Sequence, residues 1–354
     1  MSELIIPNEP DIWQRLKEET QPIIIYGTGN GADKILDELL RIDVTVQGFM
    51  ASDDFVRGQH FRGYSVKKLS DLEKEYGSLL ILIAFGTQRP EVMDNIVRIA
   101  ERHTVLCPDV PVYGEKIFHK SYVLQHKDEL KRVYDLLSDE LSRQTFQNVI
   151  RFRLSGELST LTSVYSPKEE VFQNILHLTD DEYYLDLGAY RGDTIDEFLT
   201  HTNDQYRGIT ALEPDAKTYQ KLKLHVSSMP CVQTFKMGIW SENTDLPFDA
   251  SLGRGSSLSA KGSTCLPVTT IDTLFAKRNV SYLKMDVEGA ESEAITGGKM
   301  VIARDRPKLN IALYHRTEDI FHLPLLLHSI QPSYRFYIRQ HPHIPDWDLN
   351  LYAI

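Results

Sequence analysis

The stretch YYLDLGAYRGDTIDEF, residues 183–198, has the pattern of a buried strand that ends at a glycine and continues into a helix. Gly188 and Gly192 let the backbone turn tightly, and they let a ligand approach without a side chain in the way. In an open parallel sheet, ligands bind beyond the carboxyl ends of the strands, where such a turn meets a helix N-terminus. The stretch therefore predicts an α/β domain with a ligand crevice at residues 188–194.

The alternation of strand and helix continues on both sides of this turn. Further strand candidates are GITALEP, VQTFKMGIW, SYLKMDVEG and KLNIALYH, separated by the helix-like segments GDTIDEFLT, DAKTYQKLKLHV and GAESEAITGG. The last two segments, YRFYIRQH and DLNLYAI, alternate with the period of two that is typical of a closing hairpin. Together these segments predict a doubly wound domain over residues 165–354.

A smaller α/β domain precedes it. In residues 1–115 the apolar runs PIIIYG, VTVQGFM and LLILIAFG alternate with NGADKILDELLRI and VKKLSDLEKEYG, which predicts a Rossmann-like parallel sheet with helices on its faces. Residues 116–164 differ, because their apolar residues recur at helical spacing. We expect a connecting helix there that packs on both domains, and its apolar stripe leaves open a contact with a second copy of the chain.

Length and composition fit a soluble globular protein with two cores. The chain has 354 residues, and single cores usually stop growing at about 250–300. It is 42% hydrophobic, without an apolar run near the ~18 residues that a membrane span needs. Its first residues carry acids rather than a basic region, so we expect no secretory signal and a cytoplasmic protein.

Charge and cysteine usage argue against several classes of partner. The net charge is -11 and no long cluster of basic residues occurs, which argues against nucleic acid binding. The 3 cysteines are far apart and form no CxxC pair, which argues against a disulfide framework and a structural zinc site. His341 and His343 form an HxH pair without a third ligand at an obvious spacing, so no metal site is expected.

The charges around the second glycine turn favour a cationic nucleoside ligand. Glu213 ends the next strand, in LEPD, where an acidic side chain can accept both hydroxyls of a ribose. Asp186 and Asp193 bracket the turn, which disfavours a pyrophosphate and suits S-adenosylmethionine with its sulfonium and ammonium groups. The alternative is that Asp193 only complements the helix dipole and Asp186 only ends the strand.

The stretch YLKMDVEGAESEAITGG, residues 282–298, adds a second polar group to the crevice. Side chains alternate along a strand, so Lys284, Asp286 and Glu288 are predicted to point the same way, with Asp286 at the strand end. Charges in a buried strand are costly unless they are paired, which indicates a functional cluster. A solvated edge strand is the alternative.

Seven motifs follow one another along the chain: YYLDLGAYRGDT, ALEPD, MGIWSEN, VTTIDTL, YLKMDVEGAESEAITGG, RPKLNIALYHRTEDIFHLPLLL and YRFYIRQH. Together they resemble the FkbM family of S-adenosylmethionine-dependent methyltransferases. The resemblance covers roughly residues 165–354. It implies a class I methyltransferase fold and O-methylation of a sugar or polyketide-type hydroxyl. The first-turn residues Tyr190 and Arg191 depart from the family, which more often has asparagine and a small or apolar residue there.

The resemblance also implies roles for individual residues. The methionine end and ribose of the cofactor would be surrounded by Asp186, Gly188, Ala189, Gly192, Asp193 and Thr194. Glu213 would hold the ribose hydroxyls, Pro214 and Asp215 would flank the adenine, and Met237, Gly238 and Ile239 would line the adenine slot.

Two residues are candidates for the base that takes the acceptor proton, Asp286 and His315. Both are predicted at carboxyl ends of strands facing the same crevice, and histidine has the better intrinsic pKa for a base near neutrality. Lys284 would lower the pKa of Asp286. Arg316 and Asp319 follow His315 at the family's H-R-x-x-D positions, where they could instead cap the next helix.

The first glycine turn, YGTGNGADKIL, places Gly27, Gly29 and Gly31 between a strand and a helix. Met50 ends the neighbouring strand where a ribose-binding acid is expected, so NAD binding is not favoured. Residues 22–105 resemble the nucleotide-sugar-binding N-terminal domains of sugar acyltransferases, which implies a sugar-nucleotide diphosphate at this turn. The alternative is that these glycines only permit close packing of helix on strand.

The sequence thus predicts an S-adenosylmethionine-dependent O-methyltransferase that acts on a sugar or glycan hydroxyl, with a nucleotide-linked sugar as one form of the acceptor. A non-catalytic nucleotide-sugar-binding protein and an NAD-dependent sugar oxidoreductase are the alternatives. The segment GRGSSLSAKG, residues 253–262, is interpreted either as a lid or as a hairpin connection. The acceptor's identity and the oligomeric state stay open.

Overall fold

The computed structural model describes residues 3–249, 257–258 and 264–354. Most of the lid candidate, residues 253–262, therefore lies outside the described residues. The chain divides into two compact units. The first comprises Met1–Tyr134, Glu140–Ser166 and Gln340–Asp348, and the second comprises Asp135–Asp139, Pro167–Arg339 and Leu349–Ile354.

The first unit is an α/β domain whose central strands are wholly apolar. Its strands are β1 (Ile23–Tyr26), β2 (Gly48–Met50), β3 (His60–Phe61), β4 (Tyr64–Lys67), β5 (Leu80–Ile83) and β6 (Thr104–Leu106). Its helices are α1 (Ile12–Lys17), α2 (Asn30–Arg41), α3 (Leu69–Tyr76), α4 (Pro90–Ala100), α5 (Lys120–Gln125), α6 (Lys127–Leu136), α7 (Glu140–Ser155) and α8 (Leu158–Thr162). Helix α6 ends just beyond the unit's boundary at Tyr134.

The sheet of the first unit has the order β3-β4-β2-β1-β5-β6. All neighbours are parallel except β3 and β4. Every residue of β1 and of β5 is buried, which is expected for strands covered on both faces by helices. The expected parallel α/β sheet is therefore present in this unit.

The predicted connecting helix is a run of helices. Residues 116–164 contain α5, α6, α7 and α8, and most of this segment belongs to the first unit. Apolar spacing alone could not show the break at residues 137–139, because Leu137 keeps the helical period but pairs as an isolated parallel bridge with Phe336.

The second unit contains the larger sheet and its covering helices. Its strands are β7 (Tyr183–Leu187), β8 (Gly208–Leu212), β9 (Val232–Phe235), β10 (Gly238–Ile239), β11 (Thr244–Asp249), β12 (Ser257–Leu258), β13 (Thr264–Thr269), β14 (Tyr282–Met285), β15 (Lys308–Ala312), β16 (Phe336–Gln340) and β17 (Leu349–Ala353). Its helices are α9 (Lys168–Val171), α10 (Asp193–Thr202), α11 (Ala216–His225), α12 (Ile271–Leu274), α13 (Glu291–Thr296), α14 (Lys299–Asp305) and α15 (Asp319–Ile330).

The seven-stranded sheet of this unit has the order β16-β17-β15-β14-β7-β8-β9. Strands β9, β8, β7, β14 and β15 run parallel, and β17 is antiparallel to β15. The strand order reverses between β7 and β14, so the switch point, where ligands bind in open α/β sheets, lies at the carboxyl ends of these two strands. This is the mostly parallel, Rossmann-like α/β architecture expected from the sequence.

A second, four-stranded sheet was not predicted. It has the order β10-β13-β11-β12 and includes part of the segment VQTFKMGIW, which was interpreted as one strand. Strand β9 pairs with β8 in the large sheet, whereas β10 pairs with β13 in the small one. In the described part of the chain, no helix has the length and apolar character needed to cross a bilayer.

Candidate active site

The turn after β7 fits tightly against the end of β14. Gly188 has a φ of +82°, and a Cβ on it would lie 1.9 Å from the backbone carbonyl oxygen of Asp286. Gly192 has a φ of +98° and precedes α10, with the ring of His225 2.6 Å from the position of a Cβ. Both positions therefore require glycine, and the turn brings β7 and β14 together at the switch point.

Asp186 lies at the floor of this turn. It is fully buried and its Oδ2 accepts a hydrogen bond from the Thr194 hydroxyl at 2.5 Å. Its Oδ1 is buried without a hydrogen-bond donor among the described residues. Burial raises the pKa of Asp186 to about 6, although Lys284 and the Thr194 hydrogen bond act in the opposite direction. A buried carboxylate oxygen without a donor is costly, so this site is suited to a cationic or donor group of a ligand.

Glu213 lies at the end of β8, one strand away. It is 7% exposed, and its Oε1 accepts the backbone N–H of Asp215 at 2.8 Å. Burial raises its pKa to about 7, with Asp215 and Asp186 adding to the rise. Asp215 itself caps α11, because its Oδ1 accepts the N–H of Thr218 at 2.8 Å.

The remaining cofactor residues of the prediction lie in two places. Ala189 is fully buried and donates its N–H to the Leu212 carbonyl at 3.0 Å, and Asp193 begins α10. Gly238 and Ile239 form β10 in the small sheet, with Met237 just before them. Their contact with an adenine ring stays a prediction, as does that of Pro214.

The polar cluster predicted from residues 282–298 is present at the carboxyl ends of β14 and β15. Lys284 Nζ lies 3.6 Å from Asp286 Oδ2, and the Tyr314 hydroxyl donates to Asp286 Oδ1 at 3.2 Å. Burial raises the pKa of Asp286, but Lys284 and His315 more than offset this and the pKa lies below its usual value. Lys284 is paired in register with Asp186 on β7, so it lies between two carboxylates.

His315 is almost completely enclosed. It is 1% exposed, and its Nδ1 lies 2.8 Å from Oε1 of Glu291, which is equally buried. Burial alone would lower its pKa, but Glu291, Glu288 and Asp286 together raise the pKa to about 10. The sequence predicts a base with the intrinsic pKa of histidine, whereas this environment keeps His315 protonated near neutrality.

Two members of the cluster, Glu291 and Tyr314, were missed. Glu291 falls in the first turn of α13, where the sequence pattern alone indicates only a residue that complements the helix dipole. Its role becomes visible only when β15 places His315 beside it. Tyr314 directly precedes the candidate base His315 in the chain, and this position is the one sequence signal that could have indicated it.

The loop between β14 and α13 is held in a fixed shape. Glu288 and Gly289 both have positive φ values, +57° and +89°. Arg316 donates its Nε–H to the Gly289 carbonyl at 2.8 Å, and Asp319 accepts the Arg316 N–H at 2.9 Å. Arg316 thus ties the loop to the start of α15.

The glycines of the first glycine turn, in the other unit, have different surroundings. Gly27 has a φ of +121°, and a Cβ on Gly31 would lie 2.5 Å from the Ala84 carbonyl oxygen. Gly29 is the N-cap of α2 and has no heavy atom within 4 Å of its Cβ position. A small pocket beside the turn is lined by apolar groups, among them Gly31, Ile35, Phe85, Val110 and Trp347. Gly31 therefore permits close packing of α2 against Ala84. Of the three glycines, only Gly29 has free space at its Cβ position.

Comparison with known proteins identifies the second unit. Residues 186–347 match the model of the methyltransferase FkbM domain. The methyltransferase FkbM from Methylobacillus flagellatus is 19% identical, with a TM-score of 0.74 over 99% of this chain and 94% of that chain. That similarity shows a shared fold along nearly the whole chain. No curated protein matches the sequence.

Two other solved structures resemble about half of the chain, with low TM-scores. The Aeropyrum pernix fibrillarin with natively bound S-adenosyl-L-methionine is 13% identical over 53% of this chain and 73% of that one, with a TM-score of 0.32. An rRNA methylase from Streptococcus thermophilus is 13% identical over 52% and 92%, with a TM-score of 0.34. The family match confirms what the sequence motifs indicated, and the chain carries, at residues 186–347, a methyltransferase domain of the S-adenosylmethionine-dependent FkbM family.

Proposed function

We propose that this methyltransferase transfers the methyl group of S-adenosylmethionine to a hydroxyl of a sugar or glycan. The observation that carries the proposal is the adjacency, at one switch point, of the glycine turn at Gly188 and the polar cluster around Asp286. The first is suited to a nucleoside cofactor, and the second offers charged groups for a polar acceptor.

The residues of the turn fit the cofactor. Gly188 and Gly192 allow the tight turn after β7, and the Oδ1 of Asp186, which is buried without a donor among the described residues, suits an ammonium group. Glu213 is placed at the end of β8, as a ribose-binding acid should be. The raised pKa values of Asp186 and Glu213 reflect burial without a full set of donors, and a cationic ligand would favour their ionised forms.

The cofactor supplies an electrophilic methyl group on a sulfonium when it is bound. The chain's own residues orient the acceptor hydroxyl, exclude bulk water and assist the departure of the proton from that hydroxyl. Alignment of two reactants can accelerate a reaction more than a single positioned base does. We therefore expect the polar cluster to increase the rate mainly by positioning the acceptor. Asp286 is the better candidate to contact the hydroxyl, because it is an ionised acceptor and its side chain is 34% exposed, whereas His315 is protonated and enclosed.

A sugar acceptor is favoured by the polar character of the cluster. Lys284, Asp286 and Glu288 offer both donors and acceptors to a molecule that carries several hydroxyls. The free space at Gly29 and the N-terminus of α2 support a nucleotide diphosphate in the first unit. Asp33, in the first turn of the same helix, weighs against it, and so does the apolar cavity nearby.

Isothermal titration tests the proposal in two stages. The intact protein is titrated with S-adenosylhomocysteine, and then, in its presence, with UDP-, GDP- and dTDP-sugars and with free glycans. Methyl transfer from labelled S-adenosylmethionine to the same acceptors follows. We expect binding of S-adenosylhomocysteine and transfer to an oxygen, located by mass spectrometry.

Asp286→Asn should lose turnover while its affinity for S-adenosylhomocysteine stays within a few-fold. Absence of S-adenosylhomocysteine binding, or a methyl group found on nitrogen or carbon, would contradict the proposal.

A further inference from the structure

Three side chains of the polar cluster converge on a common point. Asp286, Glu288 and His315 each offer one ligand atom, and these atoms lie within 4.8 Å of one another. His315 Nε2 is 3.4 Å from Asp286 Oδ1 and 3.5 Å from Glu288 Oε2. Oxygen and nitrogen ligands about 2.0–2.2 Å from one metal ion are separated from each other by roughly 3.0–3.5 Å. The two separations from His315 Nε2 are therefore those of ligands to one ion.

The contacts of His315 Nε2 with the two carboxylates are longer than hydrogen bonds. An N–H···O hydrogen bond has a donor–acceptor distance of about 2.7–3.2 Å. The contact of His315 Nδ1 with Glu291, at 2.8 Å, falls in that range, but both contacts of Nε2 exceed it. Nδ1 is thus hydrogen-bonded to Glu291, and Nε2 faces two carboxylates at a distance that suits both an ion pair and two ligands of one metal ion.

The buried side of the ring is arranged as it is at metal centres. A metal-bound histidine almost always gives its second ring N–H to a carboxylate, which fixes the tautomer and the ring's orientation. Glu291 is that carboxylate, and it and His315 are each 1% exposed. Oε1 of Glu291 also accepts the Val287 N–H at 2.9 Å, so the same group fixes the loop that carries Asp286 and Glu288.

The other side of the cluster is open. The Asp286 and Glu288 side chains are 34% and 31% exposed. Three ligands leave further positions of an octahedral ion for water or a substrate oxygen, as in catalytic rather than structural metal sites. A metal ion can therefore enter, and an acceptor can reach it.

We propose that Asp286, Glu288 and His315 bind one divalent metal ion, of the class of Mn²⁺ and Mg²⁺, and that this ion receives the acceptor hydroxyl. Two carboxylates suit Mg²⁺ and Mn²⁺, and the added imidazole favours Mn²⁺ of the two. The site stands on geometry alone, whereas its role in catalysis rests on the proposed O-methyl transfer.

The chemistry balances without a further reactant, and binding of the ion to His315 Nε2 releases the proton of that nitrogen to solvent. The ion lowers the pKa of the coordinated hydroxyl, whose proton passes to water. The O–CH₃ bond forms with an oxygen electron pair while the S–CH₃ bond breaks, and its pair stays on the sulfur. The charge of the metal ion does not change.

Mn²⁺ titration followed by electron paramagnetic resonance tests the site directly. The full chain is first stripped with a chelator, and loss of the free Mn²⁺ signal is measured against added Mn²⁺. We expect one Mn²⁺ per chain, displaced by excess Mg²⁺. Glu288→Gln and His315→Gln should weaken binding at least tenfold, and Glu291→Gln about 10- to 100-fold through loss of the positioning hydrogen bond. Glu293→Gln, two residues along the same helix, is the matched control and should bind as the wild type does.

The outcomes separate this inference from the proposed function. Because Glu288 is partly exposed, Glu288→Gln should fold even if the change at buried His315 does not. Absence of a stoichiometric Mn²⁺ site in the wild type, or unchanged affinity in Glu288→Gln, overturns the inference. S-adenosylhomocysteine binding in the same samples tests the function independently, since Asp186 and Glu213, not these ligands, are assigned to it.

Discussion

The carbonyl oxygen of Asp286 occupies the space that a side chain at Gly188 would need, because a Cβ there would lie 1.9 Å from it. The obstacle is backbone, so it cannot be relieved by a rotamer change. The φ of +82° adds strain for any L-residue. This one close approach joins the glycine turn after β7 to the strand that carries the polar cluster.

Gly188→Ala should therefore destabilise the protein by more than about 3 kcal/mol, since it combines a backbone clash with an unfavourable φ. Chemical denaturation measures the change, and titration with S-adenosylhomocysteine should show lost or strongly weakened binding. A variant with near-wild-type stability and affinity would show that the two strands are not joined as described.

Gly29→Ala is the matched comparison at the other glycine turn. Its φ of -104° suits alanine and its Cβ position has no neighbour within 4 Å, so the stability cost should stay below about 1 kcal/mol. If the turn binds a nucleotide sugar, the added methyl group should weaken that binding at least several-fold and leave S-adenosylhomocysteine binding unchanged. Equal sugar-nucleotide affinity in both proteins would argue against a ligand at this turn.

The sequence was sufficient for the α/β class, for both glycine turns and for the strand ends that carry Asp186, Glu213 and Asp286. These features are local, since apolar runs, glycine positions and side-chain alternation all act within a few residues. The small four-stranded sheet was missed because β10 follows β9 after only Lys236 and Met237, and no sequence period marks a change of sheet.

The environment of His315 could not be predicted for a different reason. Its raised pKa depends on Glu291 and Glu288, which come from the loop and helix after β14, while His315 follows β15. Along the chain, only the HxH pair of His341 and His343 has a spacing that raises the question of metal binding. In the structure, His341 instead contacts the Ser166 carbonyl through Nδ1 at 2.8 Å. Ligand sets built from different strand ends have no such spacing.

The pKa of Glu213 predicts pH-dependent cofactor binding. Its pKa is raised from 4.5 to about 7 in the ligand-free protein. If only the ionised form accepts both ribose hydroxyls, the affinity for S-adenosylhomocysteine should rise about tenfold from pH 6 to pH 8. Calorimetry at several pH values measures this, and Glu213→Gln should bind weakly with a flatter profile. A wild-type affinity independent of pH would remove Glu213 from the ribose site.

The ionisation of Glu213 also affects folding stability, which should fall as the pH rises, whereas the affinity for the cofactor should increase. Because the folded-state pKa lies above the unfolded one, the contribution of Glu213 is complete below about pH 4.5 and is lost as the pH rises through about 7. Glu213→Gln should therefore lose less stability than the wild type between pH 5 and pH 8. Thermal denaturation without ligand measures the difference, and parallel slopes would contradict the assignment.

A buried ion pair in the first unit gives the last prediction. Arg153 Nε lies 2.7 Å from Asp346 Oδ2, and the two side chains are 2% and 1% exposed. Burial and Asp346 raise the pKa of the neighbouring Asp109 to about 7, while Arg153 lowers it. Arg153→Met should cost about 3–5 kcal/mol of unfolding free energy near neutral pH, because it leaves buried carboxylates without their cation.

The deficit of Arg153→Met should depend on pH in a defined direction. Without the arginine, the pKa of Asp109 rises further above about 7, so this carboxyl is neutral at pH 5 and stays neutral to a higher pH than in the wild type. The loss of stability should thus be smaller at pH 5 than at pH 8. Urea denaturation at both pH values measures it, with Arg151→Met, an exposed arginine on the same helix, as the control. Adding Asp346→Leu should restore part of the loss, since an apolar residue replaces the uncompensated charge. A deficit below about 1 kcal/mol, or one that is equal at both pH values, would mean that the pair contributes no buried charge compensation.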